Sequence, residues 1–413
     1  MALRSPIVSV LGHVDHGKSS ILDAIRDTDV TQGEKGDITQ AIGASIMPSS
    51  VIEKRCSSLM ETLGFTLELP GLLFIDTPGH AAFSSLRKRG GGLADIAIVV
   101  VDINEGFKPQ TVEAIKILRQ RETPFLIVAN KVDLISGWED HGDNSLQSYQ
   151  RQTDSVRQRF DNGIYEIVGD MYEEFEMESE RYDKVDDFSE KVAIVPCSAT
   201  QNTGLDELLT VLAGISQRFL EQGLGLDVEG PGEGVIVEVK EYKGLGTVLD
   251  IILYDGTLDV GEEVFVGTIS GVHQSKIRTM LCPKGLDDMR GEKTKFDHVD
   301  NVSAATGVRV VLSDTPDDVI AGMPLVALGS DGEKAKKTVE EQIHTDFVDT
   351  KDEGVIIKAD TIGGLEALAQ MLEEKNIPVR KASIGPVSKK DILNAKASLE
   401  IDPTHAAVLG FKI

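Results

Sequence analysis

At 413 residues the chain has room for two to four domains of roughly 100–200 residues each, which excludes a single small module. Apolar residues make up 41 % and charged residues 27 %, totals that fit neither a disordered chain nor a membrane protein. Net charge is −26, from 68 acidic and 42 basic residues, which argues against a broad cationic surface for nucleic acid.

The first elements expected in chain order are short apolar strands alternating with helical patterns, from Ile7 to about Gly223. The strands are Ile7–Leu11, Leu72–Asp76, Ile96–Asp102, Phe125–Asn130 and Val192–Pro196, each nearly continuous in apolar residues, as strands covered on both faces should be. This pattern predicts a doubly wound, mostly parallel sheet with helices on both sides. Trp138 to Glu190 is long for a connection and shows no strand signal. It is expected to be an inserted, mainly helical acidic excursion, with 16 Asp or Glu against 5 Lys or Arg between Glu139 and Glu190.

Helical periodicity stops at Gly230-Pro231-Gly232. Short alternating strands follow at Val235–Lys240, Val248–Leu253, Glu263–Val266, Ile277–Leu281, Gly307–Val311 and Pro324–Ala327, separated by turns such as Tyr254-Asp255-Gly256-Thr257, and they predict a small antiparallel β-barrel. A charged helix is expected from about Gly332 to Thr345. Beyond it, the strand Gly354–Ala359, a helical face of Leu365, Leu368, Ala369 and Leu372, and the strand Val379–Ile384 predict a βαβ unit, with a last strand over Ala406–Ile413. The expected division is therefore an α/β domain over 1–226 with its insert at about 138–190, a β-barrel over 227–330, and a helix plus a partial α/β domain over 331–413.

No apolar run reaches the about 20 residues needed to span a bilayer, and no cationic leader precedes Ile7, so a cytoplasmic location without membrane contact is expected. Cys56, Cys197 and Cys282 form no CxxC pair and are expected to be small buried residues. No coiled-coil heptad appears, so a monomer is expected.

Four motifs carry chemistry. Gly12-His13-Val14-Asp15-His16-Gly17-Lys18-Ser19 matches G-x-x-x-x-G-K-[ST] directly after the first strand and before a helical stretch, the context such a phosphate loop requires. Its glycines let backbone N–H groups converge on phosphate oxygens, the following helix adds its positive end, Lys18 brings a cation to the β- and γ-phosphates, and the Ser19 hydroxyl can ligate Mg²⁺. Gly12, Asp15, His16, Gly17, Lys18, Ser19 and Ser20 are the candidate phosphate-side residues. A zinc site at His13 and His16 is disfavoured, because the loop is not a helix and supplies no further ligand.

In Asp76-Thr77-Pro78-Gly79-His80, Asp76 can hold Mg²⁺ through water and Gly79 lets a backbone N–H approach the γ-phosphate. In Asn130-Lys131-Val132-Asp133, the aspartate can accept two hydrogen bonds from guanine, whereas adenine has neither donor at that edge and would leave the carboxylate unsatisfied. Ser198-Ala199, after a further strand, can offer a backbone N–H to the guanine oxygen. The four together select GTP and GDP over adenine nucleotides.

Taken together, these residues resemble a translational GTPase. Asp37-Ile38-Thr39-Gln40-Ala41-Ile42-Gly43-Ala44, Leu86-Arg87-Lys88-Arg89-Gly90, Asn104-Glu105-Gly106-Phe107-Lys108-Pro109-Gln110-Thr111, Ile356-Ile357-Lys358-Ala359-Asp360 and Gly363-Gly364-Leu365-Glu366-Ala367-Leu368 are similar to bacterial translation initiation factor two and its archaeal and eukaryotic counterpart, initiation factor five B. The insert's Tyr165-Glu166-Ile167-Val168-Gly169 and Glu178 to Asp183, and Ile384 to Ser388, are similar to the archaeal and eukaryotic branch.

The resemblance implies a P-loop GTPase domain, a barrel and an α/β domain, with a long helix and a tRNA-binding fourth domain absent from this chain. It implies that Thr39 completes the Mg²⁺ shell with Ser19 and Asp76, that His80 positions the attacking water, that Val14 and Ile38 form an apolar gate before that histidine, and that Asp15 is linked with a monovalent cation, Na⁺ or K⁺. It implies the ribosome as partner, with rRNA met at the switch regions and at Arg87, Lys88 and Arg89, and initiator tRNA met mainly through the absent domain.

Asp37 and Ala41 stand where the family usually has glycine and histidine, and a carboxylate so near the phosphates repels them unless it is turned outward or paired. Ser19 and Ser20 replace the usual threonines, with the hydroxyl retained. The leading expectation is a GTP-hydrolysing translation initiation factor that promotes subunit joining and is activated by the ribosome. Two alternatives stay open: another translational GTPase such as an elongation factor, of which those that deliver tRNA would carry a second barrel instead of the third α/β domain, and a GTP-sensing module without efficient hydrolysis.

Overall fold

The structure is a computed structural model that describes residues 4–26, 43–76, 94–142, 144–221, 230–242, 244–283, 296–344, 354–359, 364–365, 368–369, 371–372, 375–399 and 403–411. They fall into two compact units, one containing the N-terminal α/β part and the other the barrel and the small α/β part.

The first unit runs β1 (Ile7–Gly12), α1 (Lys18–Arg26), β2 (Gly43–Pro48), α2 (Ser49–Leu63), β3 (Gly71–Asp76), β4 (Ile96–Asp102), α3 (Pro109–Gln120), β5 (Phe125–Asn130), α4 (Ser145–Arg151), α5 (Asp154–Phe175), β6 (Ser179–Arg181), β7 (Val192–Pro196) and α6 (Leu205–Glu221). Its sheet has the order β2-β3-β1-β4-β5-β7-β6. All neighbours are parallel except β2, which runs antiparallel to β3 at one edge.

Alternate residues of the same strands enter two separate cores. Val8, Val10, Ile98 and Val128 meet α1, α2 and α6 on one face, while Val99, Val101, Ile127 and Ala129 meet α3 and α5 on the other. A strand whose two faces are both covered has no polar side, which is why these strands are continuous apolar runs.

The insert is not a detached excursion. Val156, Phe160, Ile164, Ile167, Met171 and Phe175 of α5 recur at helical spacing and fill the second core. Ser179–Arg181 adds a short parallel strand beside β7, contrary to the expectation of an insert without strands; three mostly polar residues give no periodic signal. Helix α4 is anchored to α6 through Glu207, which accepts hydrogen bonds from the Ser145 N–H at 2.6 Å and the Ser145 hydroxyl at 2.8 Å. Burial pushes the Glu207 carboxyl above its usual range, and the Ser145 bonds pull it back only in part.

In the second unit, β8 (Glu233–Tyr242), β9 (Gly246–Asp255), β10 (Thr257–Asp259), β11 (Glu263–Thr268), β12 (Gly271–Pro283), β13 (Phe296–Val299), β14 (Asn301–Ser303), β15 (Thr306–Leu312) and β16 (Pro324–Ala327) precede α7 (Gly332–His344). Six of them close a barrel in the order β11-β16-β8-β9-β15-β12, and pairing of β12 with β11 completes the ring. These six are the strands expected from the sequence; β10 and β14 pair apart from the ring, and β13 lies beside β12. On the barrel, Arg309 forms a buried bidentate pair with Asp250 at 2.7 and 2.9 Å, with its guanidinium against the rings of Tyr242 and Phe296. Helix α7 lays Ala335 and Val339 on Phe265 and Val326 of the barrel strands.

The last part is a parallel three-stranded sheet, β18-β17-β19, of β17 (Val355–Ala359), β18 (Val379–Ile384) and β19 (Val408–Phe411). Leu365, Leu368, Ala369 and Leu372 pack against it, as their spacing predicts. Helix α8 (Lys389–Ser398) begins with a capping box between Ser388 and Asp391. Cys56 and Cys197 are buried and Cys282 is half-buried, all three as free thiols. Among the described residues no helix is long and apolar enough to cross a membrane.

Gly163 shows how closely α5 lies against the sheet. Alanine is the better helix former by about 1 kcal/mol, but a methyl at this position would stand 2.8 Å from the carbonyl oxygen of Ile103, a backbone atom that cannot rotate away. Gly163→Ala is therefore expected to lower stability by about 1–3 kcal/mol in denaturant unfolding; a gain would mean that α5 does not approach the sheet this closely.

Candidate nucleotide site

The motif-bearing loops all leave the sheet at the carboxyl ends of its parallel strands. Between β1 and α1 the chain passes through Gly12 at φ 140°, Asp15 at φ 64° and Gly17 at φ 91°. A Cβ at Gly12 would lie 2.3 Å from the Val100 carbonyl oxygen, and one at Gly17 would lie 2.3 Å from Asn130 Nδ2, so neither position admits a side chain. Asp15 holds a left-handed conformation that aspartate tolerates better than most residues. Lys18 Nζ donates to the carbonyls of Gly12 at 2.9 Å and His13 at 2.7 Å, which lays its ammonium across the loop. Ser19 and Ser20 fall in the first turn of α1. Asp76, the last residue of β3, is paired with Val10 of β1, so it ends at the same edge of the sheet as the loop.

Val14 is exposed at 45 %, and its backbone N–H donates to Gln110 Oε1 at 3.1 Å. His16, expected among the phosphate-side residues, turns its imidazole into the protein: it is buried, and its Nδ1 accepts the Asp102 N–H at 3.2 Å. Burial, then the neighbouring His13, lowers its pKa, so at neutral pH the ring is uncharged and Nδ1 is free to accept.

The base-reading loop begins where β5 ends. Asn130 is buried; its Nδ2 donates to the His16 carbonyl at 2.9 Å and its Oδ1 accepts the Ala199 N–H at 3.3 Å. Lys131 takes φ 65° and places Nζ 2.8 Å from Asp102 Oδ2. Asp133 accepts from the Ser198 hydroxyl at 2.6 Å on one oxygen and from the Thr200 hydroxyl at 2.9 Å on the other. A carboxylate oxygen has two lone-pair directions, so these hydroxyls orient the group and still leave acceptors for two further N–H donors. That donor and acceptor set fits a guanine edge.

Thus Gly12, Asp15, His16, Gly17, Lys18, Ser19, Ser20, Asn130, Lys131, Asp133, Ser198 and Ala199 come together at one edge of one sheet. Asp37, Ile38, Thr39, Ala41, Gly79, His80, Arg87, Lys88 and Arg89 lie outside the described residues. The roles of Thr200, Asp102 and Gln110 were not anticipated, because they act on other protein groups rather than on a ligand.

Comparison with known proteins adds the identity of this arrangement. The elongation factor Tu GTP-binding domain matches residues 3–218, and Translation-initiation factor 2 matches residues 330–413. A probable translation initiation factor IF-2 of Methanopyrus kandleri is 47 % identical over 415 residues, covering 100 % of this chain and 69 % of the relative. The chain belongs to the translation initiation factor IF-2 family. The corresponding Aeropyrum pernix protein is 48 % identical, with 67 % of its length covered. The solved structure of GDP-bound aIF5B from Aeropyrum pernix superimposes over 100 % of this chain and 69 % of that one, with a TM-score of 0.85 and 47 % identity. As an IF-2/aIF5B-type member the chain is a GTPase, and the parallel third sheet in place of a second barrel sets aside the elongation-type alternative.

Gly17→Ala is expected to weaken GDP and GTP binding by roughly two orders of magnitude, because it combines a strained left-handed residue with a collision at Asn130. Gly169→Ala on α5, with no atom within 4 Å of the new methyl and no positive φ, should leave both affinities unchanged in equilibrium titration with a fluorescent nucleotide. Equal effects of the two substitutions would contradict the role given to Gly17.

Proposed function

We propose that this chain is a ribosome-activated GTPase that promotes the joining of ribosomal subunits during initiation. The match of Translation-initiation factor 2 to the part that follows the barrel carries this reading, since that is where initiation and elongation factors differ. On this reading residues 1–226 form the GTPase domain, 227–330 the barrel and 331–413 the third domain, and the chain works in the cytoplasm as a monomer.

The phosphates sit in the loop from Gly12 to Ser20 and the guanine on Asp133, with Asn130, Lys131, Ser198 and Ala199 shaping its pocket and Gly79 reaching the γ-phosphate. Ser19, Thr39 and Asp76 would hold Mg²⁺, which supplies charge neutralisation across the β- and γ-phosphates. Asp15 would take part in holding a monovalent cation. In-line transfer to water needs positioning more than covalent chemistry. His80 orients that water, and Val14 and Ile38 form an apolar gate that holds the histidine away until the ribosome docks. The exposure of Val14 at the apex of the loop supports its place in such a gate.

Arg87, Lys88 and Arg89 meet rRNA, a local cationic patch being sufficient in an acidic protein. Contact with initiator tRNA belongs mainly to a further C-terminal domain of the family.

Phosphate release from GTP should be slow for the chain alone and rise at least about a hundredfold with archaeal ribosomes, since charge stabilisation arrives in trans. His80→Ala should remove most of that stimulation while GTP affinity is retained. Bound GTP without stimulation by ribosomes would favour the nucleotide-sensing alternative.

A further inference from the structure

In the sheet order β1-β4-β5, the phosphate loop follows β1 and the base-reading loop follows β5, so the strand between them carries no nucleotide motif of its own. Its last residue, Asp102, is only 3 % exposed, an unusual place for a carboxylate outside a ligand site. Its carbonyl accepts the N–H groups of Glu105 and Gly106 in the turn that follows, and its other polar atoms reach the loops on either side directly or through Asn104. Its backbone N–H goes to His16 Nδ1 at 3.2 Å, which fixes the phosphate loop from behind. Its Oδ2 holds Lys131 Nζ at 2.8 Å. Its Oδ1 accepts the Asn104 N–H at 2.9 Å and Asn104 Nδ2 at 3.0 Å, and that same Nδ2 continues to the Lys131 carbonyl at 3.2 Å.

Lys131 is thus gripped at both ends while its backbone stands at φ 65°. Burial alone would push the Asp102 carboxyl upward, but the Lys131 and Asn104 bonds hold it below the usual range, so the carboxylate is charged at neutral pH. A carboxylate removed from water in this way is stabilised by its ion pair and its hydrogen bonds, and the partner lysine is in turn held in one place. The turn that follows is clamped from outside by the insert: Asp170 of α5 accepts the Phe107 N–H at 3.0 Å, and Gly163 lies against Ile103.

We propose that Asp102 is a positioning residue for nucleotide retention: it binds Lys131 and His16 to the end of β4 so that the base-reading loop and the phosphate loop close on one ligand as a single body. This rests on the reading of the site as a guanine-nucleotide pocket. Asp102 touches no nucleotide; it acts through Lys131 and His16, and it governs how long GDP and GTP stay bound rather than which base is chosen, the choice being made at Asp133.

The test is the dissociation rate of fluorescent GDP and GTP analogues from the full chain and from Asp102→Asn, Lys131→Met and the double variant. Asparagine keeps the acceptor for Asn104 and removes the charge that holds Lys131. Asp102→Asn is expected to speed release of both nucleotides about tenfold, the scale of a lost charged hydrogen bond. The double variant should release no faster than the quicker single variant, thermal unfolding should move by no more than a few degrees, and preference for guanine over adenine should not change. Unchanged release from Asp102→Asn, or single effects that multiply in the double variant as independent loosening would, overturns the proposal. Failure of the unsubstituted chain to retain any guanine nucleotide would instead overturn the pocket reading itself, and the proposal with it.

Discussion

A single buried carboxamide joins the parts on which nucleotide binding depends. Asn130 donates to the carbonyl of His16 and accepts from the N–H of Ala199, and so connects a loop near residue 16, its own strand end and a loop near residue 199. The contact is tight enough that the loop facing it must be glycine at position 17. Leaving either end of a buried amide unsatisfied costs about 1–3 kcal/mol, so all three loops are ordered together or not at all. Asp102 repeats this arrangement on charged groups one strand away, and Lys18 closes the phosphate loop on its own carbonyls.

The sheet makes this possible because it is covered on both faces. Helices α1, α2 and α6 fill one core and α3 and α5 the other, so the strand ends are held rigidly enough for their loops to be set within hydrogen-bonding tolerance of each other. The acidic insert belongs to this support. It carries much of the excess negative charge on its outer side, while the inner side of α5 reaches the turn after β4 through Gly163 and Asp170. Charge that would repel phosphates is thereby kept on a solvated helix face.

Much of this was legible in the sequence, for identifiable reasons. Strands buried on both faces leave continuous apolar runs, so β1, β3, β4, β5 and β7 could be placed closely; barrel strands with one wet face leave alternation, so the six ring strands could be placed as well. Edge and accessory strands leave neither. Gly43–Pro48 mixes small and apolar residues, and Ser179–Arg181, Thr257–Asp259 and Asn301–Ser303 are three residues long. In the site, the residues that meet a ligand fall in dense motifs with fixed spacing. Thr200 and Asp102 meet Asp133, His16 and Lys131, groups brought near only by folding, while Gln110 and Asn104 stand in a run whose resemblance to the family says nothing of the backbone groups they hold. His16 shows the complementary difficulty: it stands inside the phosphate-loop motif, but its ring is spent on the neighbouring strand.

The claim that one pocket reads guanine through Asp133 is tested most directly by exchanging acceptor for donor there. Equilibrium binding of GDP and xanthosine diphosphate should be measured for the unsubstituted chain and for Asp133→Asn. A carboxylate pairs with the two N–H donors of guanine, whereas an amide presents an N–H to the carbonyl that xanthine carries in place of the exocyclic amine. The account predicts that the chain binds GDP far more tightly than the xanthine nucleotide and that Asp133→Asn reverses the order. A variant that kept its preference for GDP would contradict the account, because the carboxylate held by Ser198 and Thr200 would then not be what the base meets.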